Sequence, residues 1–328
     1  MNIILRSVGS YIPEKQVTNK ELESMIETSD EWIRSHTGIG SRHIAADHEA
    51  ASDMGYRAAI QALERASMEI SDIDGIITAT ATPDHPGFPA TACIIQDMLK
   101  AQPIFAFDIT AGCSGFIYAL EIARGLITLG KIRSILVIGT EKLTGVVDWT
   151  DRNCVLFGDA AGAAVVSAEE DGPHKRGIID SELYADGSGA SALIVAAGGS
   201  RKPAKYGFDN LSEVTLRMEG RKVYNFAVGA IVDTLRSLMD RNRLTIDDVS
   251  YIVPHQANSR IIHAAAKRMG IPYEKFFMNI ETLANTSAAS IPLALAEMSE
   301  SGLLKRGDLI LTIGFGAGLT YGGNVIIW

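Results

Sequence analysis

An internal repeat constrains the fold of this chain more than any other feature of its sequence. Residues 70–77 read ISDIDGII, and residues 246–253, 176 positions later, read IDDVSYIV. The apolar segment SILVIG at 134–139 is likewise matched by DLILTIG at 308–314. Segments with strand and helix patterns alternate around these pairs, which is typical of layered α/β folds. The sequence therefore predicts two halves of one architecture, packed face to face.

Each half is expected to contain several regular elements. Apolar residues at helical spacing predict helices, and short continuous apolar runs predict buried strands. The predicted helices span 52–66, 91–100 and 224–241, and the predicted strands span 74–79, 104–107, 134–139 and 160–167. The polar, turn-rich segment EEDGPHK at 169–175 is predicted to separate the halves, which gives domains of residues 1–174 and 175–328.

The composition argues against several classes of protein. The net charge is −9, from 30 basic and 39 acidic residues, so nucleic acid is not expected as the main partner. No apolar run reaches the roughly 18 residues of a membrane-spanning helix, and the N-terminal run, broken by Arg6, is too short for a signal peptide. Three cysteines are an odd number, which disfavours a disulfide framework and favours a reducing cytoplasm.

One cysteine lies where a predicted strand meets a predicted helix. Cys113 follows the small-residue turn 110–112 and precedes an apolar run at helical spacing. The first turn of a helix favours an anion, so this position predicts a lowered pKa and a reactive thiolate. Gly112 and Gly115 would let a substrate approach the sulfur closely. A small buried core thiol is the alternative, and this stretch alone does not decide between the two.

The second half of the chain supplies the possible partners of this cysteine. His255, in VPHQAN, follows a predicted strand, and the repeat puts it at the same sheet edge as Cys113. Asn285 begins a helical segment in NTS, where it could equally be an N-cap. The glycine-rich segment GFGAGLTYG at 314–322 could present backbone N–H groups to an oxyanion. It lacks the lysine and hydroxyl spacing of a phosphate-binding Walker motif.

The residues alone also suggest roles for other histidines and an alternative function as a cysteine protease. Structural roles are expected for four histidines, which are His43, His48, His174 and His263. A cysteine, a histidine and an asparagine also form the catalytic triad of papain-type proteases. The chain lacks the CGSCW-like surroundings of that family's cysteine.

Six stretches, in order along the chain, resemble the β-ketoacyl-acyl-carrier-protein synthase III family. They read TSDEWI, AGCSGF, LFGDAAGAA, VPHQAN, NTSAASIPLAL and GFGAGLTYG. The resemblance covers essentially the whole chain. It implies the thiolase fold, in which two pseudo-repeated α/β halves form a five-layered αβαβα unit, and it implies a homodimer. It also implies a cytoplasmic acyltransferase that starts bacterial type II fatty-acid synthesis.

The resemblance further implies a decarboxylative Claisen condensation with Cys113, His255 and Asn285 as the catalytic residues. Cys113 would take the acyl group of a short acyl-coenzyme A primer, expected to be acetyl-coenzyme A. Malonyl-acyl-carrier-protein would then lose CO₂, and His255 and Asn285 would hold the enolate. The backbone N–H groups of Cys113 and Ala317 would receive the oxyanion. The implied products are 3-ketoacyl-acyl-carrier-protein, coenzyme A and CO₂, with no metal and no permanently bound cofactor.

Substrate contacts are also implied by the family pattern. The residues expected to line the coenzyme A tunnel are Thr28, Trp32, Arg152, Gly220 and Asn258. Phe88 would close the acyl pocket across the dimer interface, which predicts a preference for short primers. The residues expected to dock the acyl carrier protein on a basic helix face are Arg260, Lys267 and Arg268.

The chain departs from the family pattern at several of these positions. His36 stands where the family commonly has an arginine, so a cationic contact to coenzyme A is weakened. The run 151–157 is one residue shorter than usual, which bears on the position of Arg152. Ala284 and Ala317 replace glycines, and a backbone donor survives both changes. These departures affect the expected binding of the acyl-coenzyme A primer and leave the implied reaction unchanged.

Three alternatives to this function remain open from the sequence. The first is another thiolase-fold condensing enzyme, either a specialised-metabolite synthase or a coenzyme A-only enzyme such as hydroxymethylglutaryl-coenzyme A synthase. A docking patch for a carrier protein argues against the coenzyme A-only version. The second is a thioester hydrolase, against which Asn285 argues, because hydrolysis needs an activated water and no enolate cradle. The third is a purely structural dimer, and the retained catalytic residue types argue against it.

Overall fold

The computed structural model describes residues 1–170, 172 and 175–328. In that part of the chain the strands are β1 (Asn2–Tyr11), β2 (Lys15–Thr18), β3 (Ser41–Ile44), β4 (Gly75–Ala79), β5 (Phe105–Ile109), β6 (Ser134–Glu141), β7 (Ala160–Glu169), β8 (Gly177–Ala185), β9 (Leu193–Val195), β10 (Leu216–Met218), β11 (Tyr251–Pro254), β12 (Leu309–Gly316) and β13 (Thr320–Ile327).

The helices of the same residues are α1 (Asn19–Leu22), α2 (Asp30–Thr37), α3 (Ala51–Ala66), α4 (Thr91–Met98), α5 (Gly115–Thr128), α6 (Gly220–Asn242), α7 (Ser259–Met269), α8 (Ile280–Leu283) and α9 (Ser290–Glu300). Among the described residues, no helix has both the length and the apolar character needed to cross a bilayer.

Two sheets with the same strand order form the framework of the fold. The first has the order β1-β7-β6-β4-β5, and the second has the order β8-β13-β12-β11. In both, the strand at one end and its neighbour run antiparallel, and the pairs β4–β6 and β11–β12 run parallel. Phe276 forms a parallel bridge to Ile252 at the position that β5 takes in the first sheet. The repeat seen in the sequence is therefore a repeat of topology.

Three helical layers enclose the two sheets. α3 and α4 pack on the outer face of the first sheet, and α6 and α7 pack on the outer face of the second. α5 and α9 lie between the sheets, where Leu120 and Leu295 share one buried cluster with Val137 of β6 and Ile310 of β12. This order of layers is αβαβα, so the predicted thiolase-type architecture is confirmed.

Burial on both faces explains why the central strands were recognisable from the sequence. All eight residues of β6 are buried, because α3 covers one face of its sheet and α5 the other. A strand covered on both faces reads as a continuous apolar run. α6 was harder to delimit, since it begins at Gly220 and not at the predicted residue 224. Its first residues are exposed, so no apolar spacing marks the first turn.

The proposed boundary between the halves falls beside residues outside the described part of the chain. Those residues are Asp171, Pro173 and His174, so the expected structural role of His174 also lies outside the description. The strands of the first sheet end with β7 at Glu169, and β8 of the second begins at Gly177. The division into residues 1–174 and 175–328 stays a prediction.

Candidate active site

A cavity of about 360 Å³ is lined by residues of both halves. Its outer end includes the exposed side chains of Arg152 and Arg260, and its inner end includes Cys113, His255 and Asn285. His255 is 1% exposed, Asn285 is 7% exposed and Cys113 is partly exposed, so little water reaches the inner end. The structure thus brings the three predicted catalytic side chains into one site.

Cys113 lies in a tight turn between a strand and a helix, as the sequence predicts. β5 ends at Ile109, and a single 3₁₀ turn, Gly112–Ser114, leads directly into α5. Gly112 has φ +51°, in the left-handed region that favours glycine. A Cβ atom on Gly112 would also lie 2.7 Å from the Ala317 nitrogen, which would be a clash. Glycine is therefore required for the nucleophile turn to approach the segment of Ala317.

The prediction of a lowered pKa for the Cys113 thiol is wrong. Although water can reach part of Cys113 through the cavity, protein surrounds the sulfur, and burial raises the pKa of Cys113 to about 12. A hydrogen bond with Ser287 lowers this pKa, and the nearby Glu141 raises it. The cost of removing a thiolate from water outweighs the favourable position at the helix start. The resting thiol is neutral and needs a base when substrate arrives.

His255 lines the same end of the cavity and is neutral, so its ring nitrogen is the candidate acceptor for the Cys113 thiol proton. It follows β11 directly, and burial lowers the pKa of its imidazole to about 3. Its Nδ1 lies 2.7 Å from the Ser290 hydroxyl oxygen of α9, and its ring packs edge-on against Phe315. A hydroxyl can donate to Nδ1 or accept from it. Nε2, the nitrogen left for the cavity, can therefore present either a lone pair or an N–H group.

Asn285 offers an amide donor to the same space. Its Oδ1 accepts a hydrogen bond from the Ser287 N–H at 2.9 Å, which leaves the NH₂ group for the cavity. No acceptor in the described part of the chain binds that NH₂ group. Asn285 is not the N-cap residue that the sequence predicted, since Thr286 holds that position for the turn Ser287–Ala289, but its Oδ1 caps the first N–H of the turn from one position earlier. Capping and donation use opposite ends of one amide and are compatible.

The segment of Ala317 supplies a second kind of donor. Ala317 lies in the tight connection between β12 and β13 and lines the cavity beside Cys113. Its N–H has no acceptor among the described residues. A Cβ atom on Gly316 would lie 2.5 Å from the Cys113 nitrogen, so the two segments are in close contact. The N–H groups of Cys113 and Ala317 are therefore neighbours.

The outer part of the cavity contains an aromatic stack. The Arg152 guanidinium lies 5.1 Å from the centre of the Trp32 ring, and the His36 ring stacks on the same indole at 4.5 Å. The shortened run 151–157 thus leaves Arg152 against Trp32. Asn258 donates from Nδ2 to the His36 carbonyl at 3.0 Å, and Gly220 lines the cavity at the start of α6. Four of the five predicted tunnel residues share this region.

Several predicted residues lie away from the cavity lining. Thr28 is outside the lining, and its hydroxyl is buried without a hydrogen-bond partner among the described residues. Phe88 is 87% exposed and does not line the cavity of its own chain. Lys267 and Arg268 are exposed in the last turn of α7, whereas Arg260 lies at the cavity mouth. The roles expected for Thr28 and Phe88 stay predictions.

Residues that the sequence analysis missed support the three central side chains. Glu141, at the end of β6, is fully buried, and this burial raises the pKa of its carboxyl group. It accepts hydrogen bonds from the Thr82 hydroxyl at 2.6 Å and from Ser287, which also contacts Cys113. Ser290, which contacts His255, was missed as well. The available signals were an acid directly after an apolar strand and the serines of NTSAAS.

Comparison with known proteins agrees with this geometry. Two family models match the chain. The model for 3-oxoacyl-[acyl-carrier-protein] synthase III matches residues 107–187, and the model for the C-terminal part of that enzyme matches residues 239–328. Together they cover more than half of the chain.

Individual relatives match over nearly the full length. A β-ketoacyl-[acyl-carrier-protein] synthase III of Caldanaerobacter subterraneus subsp. tengcongensis is 49% identical over 98% of this chain and 96% of its own. That of Natranaerobius thermophilus is 46% identical over 100% and 99%. The crystal structure of the 3-oxoacyl-[acyl-carrier-protein] synthase III from Aquifex aeolicus VF5 superposes with a TM-score of 0.91, at 44% identity and with 100% of both chains covered. The chain belongs to the 3-oxoacyl-[acyl-carrier-protein] synthase III family of acyltransferases.

Proposed function

We propose that this protein condenses a short acyl-coenzyme A primer with malonyl-acyl-carrier-protein to start fatty-acid synthesis. The observation that carries the proposal is the convergence of Cys113, His255 and Asn285 at the closed end of one cavity. The outer end of that cavity carries an aromatic ring and cationic side chains, which suit a nucleotide. The substrates are acyl-coenzyme A and the malonyl carrier protein, and no bound cofactor takes part.

The first step transfers the acyl group to Cys113. Nε2 of His255 takes the thiol proton, and the sulfur attacks the thioester carbonyl carbon of the primer. The N–H groups of Cys113 and Ala317 receive the oxyanion of the tetrahedral intermediate. Collapse of the intermediate breaks the bond to the coenzyme A sulfur, which leaves as the thiol with the proton from His255. The imidazole starts neutral because burial lowers the pKa of His255 to about 3, and the same low pKa favours return of the proton to the leaving sulfur.

The second step forms the carbon–carbon bond. The malonyl group loses CO₂, and the electron pair of the broken bond moves into an enolate. The Asn285 amide and the His255 N–H donate to the enolate oxygen, where charge develops, so these neutral donors favour the transition state over the ground state. The carbanion attacks the acyl carbon on Cys113, the oxyanion forms at the same N–H groups, and the cysteine sulfur leaves as a thiolate. One proton from water then restores the thiol, because decarboxylation of the malonyl carboxylate supplies none.

The coenzyme A moiety is proposed to occupy the outer part of the cavity. Trp32, Arg152, Gly220 and Asn258 line that part, and Thr28 lies outside the lining. Arg152 is 5.1 Å from the Trp32 ring, which is too close for an adenine to lie between them. We therefore propose that Arg152 moves when the adenine stacks on Trp32.

Carrier-protein docking is proposed on α7, because Arg260, Lys267 and Arg268 are exposed there and Arg260 lies at the cavity mouth. A net charge of −9 would otherwise repel an acidic carrier protein. Arg260→Glu is expected to raise KM for malonyl-acyl-carrier-protein roughly tenfold and to leave acetylation of Cys113 unchanged. Steady-state kinetics and intact-protein mass measure the two effects.

The control for the docking prediction is Arg133→Glu, since Arg133 is exposed at the opposite end of β6. This variant changes the net charge by the same amount as Arg260→Glu. Because Arg133 lies away from α7, KM for malonyl-acyl-carrier-protein should stay at the wild-type value. A parallel loss of acetylation and condensation in Arg260→Glu would show that Arg260 serves the cavity itself and not docking.

A homodimer is proposed from the apolar surface around β5. This strand ends the first sheet, and all five of its residues, FAFDI, are only partly buried. Phe88 is 87% exposed on the same chain. Exposed aromatic groups beside an unpaired strand edge are typical of an interface. In the dimer Phe88 would close the acyl pocket of the partner.

The proposed position of Phe88 predicts that short primers are preferred. A bulky ring leaves little room, so each added methylene should lose about 0.8 kcal/mol of burial and add strain. Octanoyl has six more methylenes than acetyl, so turnover with acetyl-coenzyme A should exceed turnover with octanoyl-coenzyme A by roughly 10³-fold or more, and Phe88→Ala should narrow that gap. Equal turnover of the two primers by the wild type would refute the assignment of Phe88.

The proposed compartment is the cytoplasm, because Cys93, Cys113 and Cys154 are all free thiols. The overall function is tested by incubating the protein with a panel of acyl-coenzyme A primers and either malonyl-acyl-carrier-protein or malonyl-coenzyme A. We expect CO₂ and 3-ketoacyl-acyl-carrier-protein with the carrier substrate. Condensation on coenzyme A alone, or release of free acid without condensation, would contradict the proposal.

A further inference from the structure

Thr320, the first residue of β13, contacts the backbone on both sides of the proposed oxyanion site. Its hydroxyl oxygen lies 2.7 Å from the Ala111 carbonyl oxygen and 2.9 Å from the Ala317 carbonyl oxygen. The Ser114 hydroxyl lies 2.7 Å from the Thr320 hydroxyl and 2.8 Å from the Ala111 carbonyl. Two hydroxyl groups thus join the nucleophile turn to the connection between β12 and β13.

Counting protons gives a direction to this chain of contacts. Each hydroxyl donates one hydrogen, and the 2.7 Å contact between Ser114 and Thr320 must contain one. The Ala111 carbonyl already accepts from the Ser114 N–H at 3.2 Å. Two hydroxyl hydrogens serve four contacts, so with Ser114 donating to Thr320 the single Thr320 hydrogen is shared between the Ala111 carbonyl at 2.7 Å and the Ala317 carbonyl at 2.9 Å. Thr320 is then the only described side chain that donates to the Ala317 carbonyl.

The contacts of Thr320 matter because sheet hydrogen bonds fix neither the segment of Cys113 nor the segment of Ala317. Ala317 lies between β12 and β13, and its N–H has no acceptor in the described ranges. Cys113 lies after β5 and before α5. An oxyanion hole works only if its donors are held about 2.7–3.1 Å from the developing charge. Something must therefore fix the spacing between the two donors.

We propose that Thr320, supported by Ser114, is a positioning residue that sets the spacing of the Cys113 and Ala317 N–H groups. The inference rests on the proposed function, since it assumes that these two groups receive the oxyanion. Thr320 itself does not touch the substrate, because it is absent from the cavity lining. It acts by holding the residues on which the donors lie.

The test is Thr320→Val, which keeps the shape of the side chain and removes the hydroxyl. Single-turnover acetylation of Cys113 by acetyl-coenzyme A, followed by intact-protein mass, should slow roughly 10- to 100-fold. Decarboxylation of malonyl-acyl-carrier-protein without primer should be unchanged, because His255 and Asn285 hold that oxygen. Thr320→Ser restores the hydroxyl and should return acetylation to within about twofold of the wild type.

A matched control is available in the same pair of strands. Thr312 of β12 is buried, and its hydroxyl donates to Asn324 at 2.8 Å, away from the cavity lining. Thr312→Val removes one buried hydrogen bond and should leave acetylation at the wild-type rate. If Thr320→Val does not fold, Ser114→Ala tests the same chain of contacts. It should slow acetylation by a smaller factor, roughly three- to tenfold.

The outcomes separate this inference from the proposed function. If the wild-type protein is acetylated and Thr320→Val is acetylated at the same rate, the positioning role of Thr320 is overturned and the proposed function is not. An equal loss of acetylation and decarboxylation in Thr320→Val would also overturn it, since that pattern indicates general disruption of the site. A wild-type protein that is never acetylated would overturn the proposed function and this inference together.

Discussion

Cys113→Ala is expected to take up no acetyl group from acetyl-coenzyme A and to form no condensation product. Among the described residues that line the cavity, Cys113 carries the only thiol, and a thiol is the strongest nucleophile there. Removing the nucleophile of a covalent enzyme lowers the rate by roughly 10⁶-fold. Intact-protein mass after mixing with acetyl-coenzyme A measures the first step directly, and carrier-protein product measures the second.

Two other cysteines provide controls for that experiment. Cys93 is exposed and Cys154 is buried, and both lie outside the lining of the cavity. Cys93→Ala and Cys154→Ala should therefore be acetylated and should condense as the wild type does. If Cys113→Ala still forms an acetyl adduct, a residue other than Cys113 is the nucleophile.

Asn285→Ala is expected to remain competent for acetylation but to lose condensation. Its amide would serve only the enolate, so the covalent acetyl group should still form on Cys113. Loss of one preorganised donor to a developing oxyanion typically lowers the rate by roughly 10²- to 10³-fold. Intact-protein mass and the release of CO₂ from malonyl-acyl-carrier-protein separate the two steps.

A second variant separates the donor role of Asn285 from its cap role. Asn285→Asp keeps an oxygen that can accept from the Ser287 N–H but removes the NH₂ group. We expect it to be as deficient in condensation as Asn285→Ala. Normal condensation in Asn285→Asp would reduce this residue to a cap and would revive the thioester hydrolase alternative.

His255→Ala should differ from both Asn285 variants. It removes the enolate donor and also the base for a thiol whose pKa burial raises to about 12. Acetylation should therefore slow together with condensation. Rapid acetylation of His255→Ala would mean that another group, such as the Ser287 hydroxyl that contacts Cys113, accepts the proton.

The sequence predicted the fold because its signals are local and are repeated. β4 and β6 are buried on both faces and read as apolar runs, and the match between 70–77 and 246–253 shows the duplication directly. The edge of the second sheet was not predictable in this way. Phe276 forms only an isolated bridge there, which leaves no strand-length pattern in the sequence.

The site was predictable to the extent that residue type and turn position define it. Cys113, His255 and Asn285 were candidates from their places beside strands and helices, and the family resemblance selected them as the catalytic residues. The thiol pKa did not, because desolvation depends on what surrounds the sulfur in the folded protein. The contact between Ser114 and Thr320 joins residues 206 positions apart and has no local signal. Trp32 was found only through the family resemblance, since its own surroundings indicate an ordinary half-buried side chain.

The most direct test of the proposed chemistry is a two-stage mass measurement on the wild-type protein. Mixing with acetyl-coenzyme A should add one acetyl group, which peptide mapping should locate on Cys113. Adding malonyl-acyl-carrier-protein should then remove that group and yield an equal amount of 3-ketoacyl-acyl-carrier-protein. Loss of the acetyl group as free acetate, with no carrier product, would contradict the proposed condensation.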